Sequence, residues 1–145
     1  MQENDTVRLL RECDAGIKMA LVSLDGAIDK TGNEALLHLL TQSRREHGEL
    51  DGEISAQLAR NCAHGRDAPM MAKLAAQMKS GVKIGMSGQT DRAIAEFVTD
   101  GCNLGVKTLC KQLNQCKNAE GEARQTCGRL VNLEDRLASG LRIYL

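Results

Sequence analysis

Two polar side chains occupy positions where the sequence otherwise places apolar ones. His47 lies seven residues after Leu40 and seven before Ile54, in an apolar stripe with helical spacing, and Glu134 lies in a similar stripe near the end of the chain. If both side chains are buried, both need partners, because an unpaired polar group inside a protein is costly. The pattern therefore predicts that His47 and Glu134 lie within hydrogen-bonding distance of each other, directly or through one water.

The cysteines are the second set of side chains that could do chemistry: Cys13, Cys62, Cys102, Cys110, Cys116 and Cys127. No two are separated as C-x-x-C, the spacing typical of zinc-binding pairs and redox dithiols. In a reducing cytosol most of them are expected to be thiols that pack as small apolar groups. Cys62 and His64 are two soft metal ligands in one predicted loop, but a structural zinc site needs four, so their proximity is interpreted as chance.

A thiol-based redox sensor nevertheless stays open as an alternative function. Cys110, Cys116 and Cys127 bracket one predicted helix turn and could come close together. Nearby lysines could lower a thiol pKa and so favour the reactive thiolate. These lysines are Lys107, Lys111 and Lys117.

Motifs for covalent catalysis and phosphate binding are missing from the sequence. There is no G-x-S-x-G nucleophile motif, and the glycines of SGVKIGMSG (residues 80–88) have neither a GK[ST] ending nor a preceding strand. The sequence therefore predicts a protein that is not an enzyme and that uses no cofactor.

The elements that position these residues are predicted to be helices. The chain of 145 residues is rich in strong helix formers and has only Phe97 and Tyr144 as aromatic residues and Pro69 as its one proline. Apolar residues recur at three- and four-residue steps over approximately residues 5–30, 34–61, 67–86, 90–116 and 118–143. We expect a single helical-bundle domain, residues 1–145, with more than about two-thirds helix and no sheet.

Helix-capping residues mark several of these boundaries. Asp5 or Thr6 is expected to cap the first helix, Asn33 the second and Asn118 the last. Thr31-Gly32 is expected to end the first helix, and so short a join makes the first two helices antiparallel neighbours.

The lengths of the segments define the expected architecture. Four of them span about 37–45 Å each, whereas the segment at 67–86 spans only about 28 Å. Four matched helices predict a four-helix bundle, and the short extra helix fits into a long middle connection that crosses the length of the bundle. This connectivity is that of ferritin-like bundles.

Part of the chain resembles a known group of proteins. The points of likeness are Thr90-Asp91 before a helix, the Gly101-x-x-x-Gly105 strip, and a closing helix with Leu133-Glu134 that ends in Tyr144-Leu145. With these features, residues 71–145 resemble the C-terminal part of small uncharacterised helical proteins of clostridia and their relatives, and the N-terminal half matches more loosely. The resemblance implies a ferritin-like fold and no particular reaction.

The metal-binding pattern of ferritin-like proteins is not present in the sequence. Such proteins use a Glu on two helices and Glu-x-x-His on the other two, but Glu34, Glu46 and Glu134 are each followed three residues later by a residue other than histidine. The favoured interpretation is a structural pair of His47 and Glu134 without metal. The alternative is a metal-binding protein with a degenerate di-iron or single-metal site, in which Glu46 or Glu49 lies near that pair.

Charge is distributed unevenly, although the chain has a formal net charge of zero. Residues 1–53 carry 11 acidic and 6 basic side chains, whereas residues 54–145 carry 8 acidic and 13 basic ones. We expect the two parts to pack side by side and to complement each other. Without a dense Lys/Arg cluster or aromatic platform, nucleic acid is not an expected partner.

The segment MQENDTVRLL does not resemble a signal peptide and no stretch is apolar enough to span a membrane, so we expect a cytoplasmic protein.

Glycines and methionines within the helical segments suggest helix contacts. Gly101 and Gly105 share one helix face, and Gly81 and Gly85 share another; the two strips are predicted to pack closely, since each mid-helix glycine costs about 1 kcal/mol relative to alanine. The Met-rich segment 67–86 is expected to pack on its own bundle, with a contact between subunits or a membrane surface as alternatives. The expected partner is a second copy of the chain, in a homo-oligomer.

Overall fold

Four long α-helices make up the fold in the computed structural model, which describes residues 4–65, 76 and 91–145. They are α1 (Asp5–Lys30), α2 (Glu34–Arg60), α3 (Asp91–Gln115) and α4 (Gly121–Leu141), and Arg142–Tyr144 form a short 3-10 helix. Together they contain more than two-thirds of the chain, and the described residues include no strand, so the all-α prediction is confirmed. Of the short helix expected at 67–86, the structure describes only Ala76, which is helical, and the Gly81/Gly85 strip lies outside the described residues.

The turn between α1 and α2 follows the sequence prediction. Thr31 ends α1, and the side chain of Asn33 accepts a hydrogen bond from the backbone N–H of Leu36 at 2.9 Å. This bond satisfies one of the free N–H groups that every helix start exposes.

The predicted caps of α1 and α4 are wrong. Asn4 caps α1 by accepting a hydrogen bond from the backbone N–H of Val7 at 2.8 Å. The side chains of Asp5 and Thr6 instead accept hydrogen bonds, each of 2.9 Å, from the backbone N–H groups of Asn118 and Glu120. The turn between α3 and α4 therefore uses these side chains as acceptors, since its own backbone donors need partners. Asn118 lies within that turn, and α4 starts after Glu120 without a side-chain cap.

Hydrogen bonds at both ends of the bundle show the relative directions of the four helices. Asp91, the first residue of α3, accepts bonds from the Thr31 hydroxyl at 3.0 Å and the Gly32 backbone N–H at 3.2 Å. At the opposite end, the Arg11 guanidinium donates to the His64 carbonyl at 2.9 Å. Because α2 ends at one end of the bundle and α3 begins at the other, α2 and α3 run in the same direction. The pairs α1–α2 and α3–α4 are antiparallel.

The helices form a closed ring in which α1 and α4 each contact both α2 and α3. Three ion pairs near the surface join α2 to α4: Glu53 with Arg129 at 2.8 Å, Glu46 with Arg136 at 3.0 Å and Arg60 with Glu122 at 2.7 Å. In the first two of these pairs the acidic part of the chain meets the basic part, as the charge distribution predicts.

The apolar core consists of two clusters stacked along the bundle. On α1, Ile17 belongs to the cluster nearer the α3–α4 turn and Leu24 to the cluster nearer the α1–α2 turn. On α2, Leu50 and Leu40 divide in the same way. His47 lies between Leu40 and Leu50 along α2, at the level where one cluster gives way to the other.

We expect Arg124→Ala to lower the free energy of unfolding by about 1–3 kcal/mol, the range for hydrogen bonds to a charged group. The Arg124 guanidinium donates to the carbonyls of Leu113 and Cys116, at 3.1 and 2.9 Å, and so satisfies acceptors at the end of α3. Urea denaturation measures the change. Arg92→Ala is the control, because Arg92 is exposed and pairs with Glu96 on its own helix; it should alter stability by less than about 0.5 kcal/mol. Equal effects of the two substitutions would contradict the prediction.

Candidate functional site

A buried hydrogen bond joins His47 on α2 to Glu134 on α4. The distance from His47 Nε2 to Glu134 Oε1 is 2.8 Å, and the two residues are 0% and 6% exposed. The predicted pairing is confirmed, and the contact is direct. Each side chain is the other's partner across the boundary between the two apolar clusters.

The surroundings of His47 determine how many protons this pair shares. His47 Nδ1 lies 2.7 Å from the backbone carbonyl oxygen of Ser43, one turn earlier in α2. A carbonyl oxygen only accepts hydrogen bonds, so Nδ1 must carry a hydrogen. One further proton then lies between Nε2 and Glu134, either as an imidazolium–carboxylate pair or as a neutral imidazole with a carboxylic acid. Both arrangements have no net charge, which suits a buried position.

The Cys102 thiol on α3 extends this polar group across the bundle. Burial, together with the charge of Glu134 and a hydrogen bond to it, raises the pKa of the Cys102 thiol above its usual range. Cys102 is only 2% exposed and stays protonated at neutral pH. A protonated thiol donates to the carboxylate rather than acting as a nucleophile.

The two candidate carboxylates expected near this pair lie elsewhere. Glu46 accepts hydrogen bonds from Gln42 and Arg136 on the outer surface of α2 and α4, and the Gln42 bond, together with Arg136, lowers the pKa of Glu46. Glu49 is exposed and lines the same outer groove between α2 and α4. The expectation that either residue approaches His47 is wrong, because each residue turns an α-helix by about 100° and positions 46 and 49 point away from position 47.

These positions leave the metal-site alternative without a ligand set in the described part of the chain. Both ring nitrogens of His47 are engaged, by Ser43 and by Glu134. Within residues 4–65 and 91–145, no three His, Cys, Asp or Glu side chains are grouped so that they could hold a metal ion.

The cysteines are arranged differently from the cluster considered for a redox sensor. Cys110 is exposed, whereas Cys116 and Cys127 are buried. Cys127 Sγ lies 3.9 Å from the carbonyl oxygen of Leu109 and also accepts a hydrogen bond from Cys13 on α1. This bond and burial raise the pKa of Cys13, and the same bond lowers that of Cys127. Cys13 and Cys127 thus form a buried hydrogen-bonded pair, and only Cys62 and Cys110 of the six cysteines are exposed.

A pocket of about 190 Å³ lies between α1 and α3, with Glu134 and Leu137 of α4 among its lining residues. We call it the α1–α3 pocket. Small side chains at four-residue spacing line both helices, namely Gly16 and Ala20 on α1 and Gly101 and Gly105 on α3. The lining surface is mostly apolar. The polar pair of the core therefore borders a cavity large enough for a small molecule.

Among the described residues, the glycines of α3 make no close contact with another helix. A Cβ atom added at Gly101 would meet no atom of another described residue within 4 Å, and the same is true of Gly16. At Gly105 it would lie 3.7 Å from the carboxylate of Glu134, which is ordinary contact. The predicted contact with the Gly81/Gly85 strip falls outside the described residues. In the described part of the chain, these glycines leave space rather than bring two helices together.

The sequence reasoning missed the α1 side of the pocket. Gly16 and Ala20 repeat on α1 the four-residue spacing of Gly101 and Gly105 on α3. That parallel is visible in the sequence and could have indicated a shared cavity. A second missed feature is the buried hydrogen bond of 2.6 Å from Gln57 to Thr126, which also joins α2 to α4.

Comparison with protein-family models, with curated proteins and with solved structures gives no match for this chain. The chemistry of the pocket and of its polar wall therefore carries the functional argument.

We expect His47→Leu to destabilise the protein by about 3–5 kcal/mol, because it leaves the Glu134 side chain buried without its main partner. Glu134→Gln should cost less, since the amide still forms a neutral hydrogen bond with the imidazole. The double variant His47→Leu/Glu134→Leu should be about as stable as the parent, because apolar replacement of a buried pair is often neutral or favourable. Urea denaturation of the single and double variants gives the coupling energy.

The exposed pair Glu53–Arg129 is the matched control, since it joins the same two helices through hydrogen bonds of 3.0 and 2.8 Å. Its coupling energy should be below about 1 kcal/mol, as for other solvent-exposed ion pairs. A coupling for His47–Glu134 no larger than that of the control would refute the structural role of the buried pair.

Proposed function

We propose that this protein is a non-enzymatic helical bundle with ferritin-like connectivity that binds a small, mostly apolar molecule in the α1–α3 pocket. One observation carries the proposal: three helical glycines, Gly16, Gly101 and Gly105, line a cavity that no described side chain fills. A glycine within a helix costs about 1 kcal/mol relative to alanine, and close packing against the described residues does not account for Gly16 or Gly101.

The size and lining of the pocket suit such a ligand. Small-molecule sites are concave, mostly apolar and furnished with a few placed polar groups, and helix bundles build them from side chains on facing helices. An apolar cavity of about 150 Å³ takes up benzene, and the volume here is about 190 Å³. A single aromatic ring with one small substituent fits these dimensions.

The ferritin-like part of the proposal is supported by the direction of the helices. The parallel arrangement of α2 and α3, with antiparallel pairs on either side, is the one that a long crossover connection produces. The likeness to clostridial helical proteins points to the same fold. The absence of a nucleophile motif and the raised pKa of Cys102 support a binding role rather than catalysis.

A cytoplasmic location is part of the same proposal. All six cysteines are free, as expected in a reducing compartment. In the described part of the chain, no helix combines the length and the apolar character needed to cross a membrane.

We expect toluene to bind and to raise the melting temperature of the protein, because a ligand that binds only the folded state stabilises it. Gly101→Leu should abolish this shift, since a side chain at position 101 occupies pocket volume. Gly52→Leu is the control: Gly52 is also helical, also has no atom of another described residue within 4 Å of an added Cβ, and is not among the described lining residues of the pocket. It should keep the toluene shift. Absence of any shift in the parent protein would overturn the proposal.

Self-association is a second candidate function, favoured by apolar side chains on the surface. Ile143 is 83% exposed, and Leu145, two residues further along, is 49% exposed. Neighbouring exposed apolar residues of this size often mark contacts between proteins.

We expect the chain to sediment as a dimer or larger oligomer and the variant Ile143→Lys/Leu145→Lys to sediment as a monomer. Sedimentation equilibrium measures both. Leu104→Lys is the control, because Leu104 is also exposed, at 60%, but lies on α3 beside the pocket; it should leave the mass unchanged. A monomeric parent protein would exclude self-association.

A further inference from the structure

The thiols of Cys13 and Cys127 are buried nucleophilic groups that the proposed binding function does not use. Cys13 lies on α1 and Cys127 on α4, two helices that approach each other across the core. Both side chains are 0% exposed and belong to the same apolar cluster. Their sulfur atoms are in contact, because the Cys13 thiol donates a hydrogen bond to Cys127 Sγ. Two thiols that face each other in this way are the arrangement from which a disulfide forms.

The two thiols differ in reactivity. The hydrogen bond from Cys13 lowers the pKa of Cys127, and the charge of Arg124 acts in the same direction against the effect of burial. The same hydrogen bond and burial raise the pKa of Cys13. Because the thiolate is the nucleophilic form of cysteine, Cys127 is the thiol that attacks an oxidant first. Cys13 is then the second thiol, already placed against the sulfur that has reacted.

The α1–α3 pocket brings a small oxidant close to this pair. Leu109 lines the pocket, and its backbone carbonyl oxygen lies 3.9 Å from Cys127 Sγ. Glu12, which precedes Cys13 in the chain, lines the pocket on the α1 side. Leu104 also lines it and is 60% exposed, so the pocket reaches the surface. Hydrogen peroxide is close to water in size and fits such a route, whereas the thiol of another protein does not reach a side chain with no exposed surface.

We propose that Cys13 and Cys127 form a peroxide-sensitive site, at which a reversible disulfide joins α1 to α4. This inference goes beyond the proposed binding function and does not depend on a ligand in the pocket. It also differs from the group of Cys110, Cys116 and Cys127 expected from the sequence, since Cys13 takes the place of two of its members.

The oxidation proceeds in two balanced steps. The Cys127 sulfur attacks one oxygen of hydrogen peroxide; an S–O bond forms, the O–O bond breaks, and the hydroxide that leaves takes up the thiol proton as water. The Cys13 sulfur then attacks the sulfenic acid sulfur of Cys127; the S–S bond forms, the S–O bond breaks, and a second water leaves with the Cys13 proton. Two thiols are oxidised by two electrons, and peroxide is reduced to two waters.

The test counts thiols in a variant without the exposed cysteines, Cys62→Ser/Cys110→Ser, which retains four of the six. The folded protein is treated with hydrogen peroxide, catalase removes the excess, and N-ethylmaleimide is added in denaturant. We expect mass spectrometry to show four labels before oxidation and two after it. Dithiothreitol should restore all four, because thiol–disulfide exchange reverses the bond.

Tryptic digestion identifies the partners of the bond. Trypsin cleaves after lysine and arginine, so Cys13, Cys116 and Cys127 lie on separate peptides, 12–18, 112–117 and 125–129. We expect peptide 12–18 to be joined to peptide 125–129. Cys116 is the competing partner, because it belongs to the same apolar cluster and is also 0% exposed.

Two further substitutions in the same variant identify the groups responsible. Cys13→Ala should abolish the disulfide and leave a sulfenic acid on Cys127 that dimedone labels. Cys102→Ala is the matched control, because Cys102 is 2% exposed and its thiol is hydrogen-bonded to Glu134 rather than to another thiol; it should keep the disulfide. If Cys13→Ala does not fold, the peptide map of the variant that contains all four buried cysteines still decides the question.

Three results overturn the inference. The first is uptake of four labels after peroxide treatment, which means that no disulfide forms. The second is a disulfide that joins peptide 112–117 to either of the others, or that links two molecules. The third is loss of the disulfide in Cys102→Ala, since the oxidation would then pass through a different thiol.

Discussion

The hydrogen bond between His47 and Glu134 is the interaction around which the described core is arranged. It crosses from α2 to α4 at the level where one apolar cluster ends and the other begins. Placing an imidazole and a carboxylate in a protein interior is costly unless each satisfies the other. This requirement fixes the rotation of α2 and α4 about their own axes, since both side chains must point inward at the same height. The ion pairs and the Gln57–Thr126 hydrogen bond join the same two helices in that register.

The other two helices have the opposite character at this level. Where α2 and α4 contribute His47 and Glu134, α1 contributes Gly16 and Ala20 and α3 contributes Gly101 and Gly105. Interiors are normally packed to the density of organic crystals, so small residues on two facing helices leave a void unless the helices move together. The helices stay apart, and the cavity opens beside the polar pair. The α1–α3 pocket is thus a consequence of the same layer that holds the buried pair.

Helical periodicity explains which parts of this structure could be predicted from the sequence. The spacing of His47 from Leu40 and Ile54 shows on which face of α2 it lies, and the apolar stripe around Glu134 does the same for α4. Because both faces belong to one core, the hydrogen bond between His47 and Glu134 could be predicted. Periodicity does not identify the partner of a side chain at a helix end. For that reason Asp5 and Thr6, which fit a helix start equally well, turned out to serve the α3–α4 turn. The pocket escaped prediction because a small residue is equally consistent with close packing and with open space, and only the distance between α1 and α3 distinguishes the two.

A buried polar pair of this kind is not explained by stability alone. Apolar side chains of similar volume often stabilise a core as well or better, because they avoid the cost of removing charged groups from water. The position of the pair gives it another consequence: Glu134 belongs both to the hydrogen bond with His47 and to the wall of the pocket. A leucine at position 134 would satisfy the core but would remove the buried carboxylate from the wall of the pocket, where it can orient a ligand. His47 is anchored by the Ser43 carbonyl and is not among the described lining residues of the pocket. It therefore acts on a ligand only through Glu134: it holds the carboxylate in place and shares the proton that balances the carboxylate's charge.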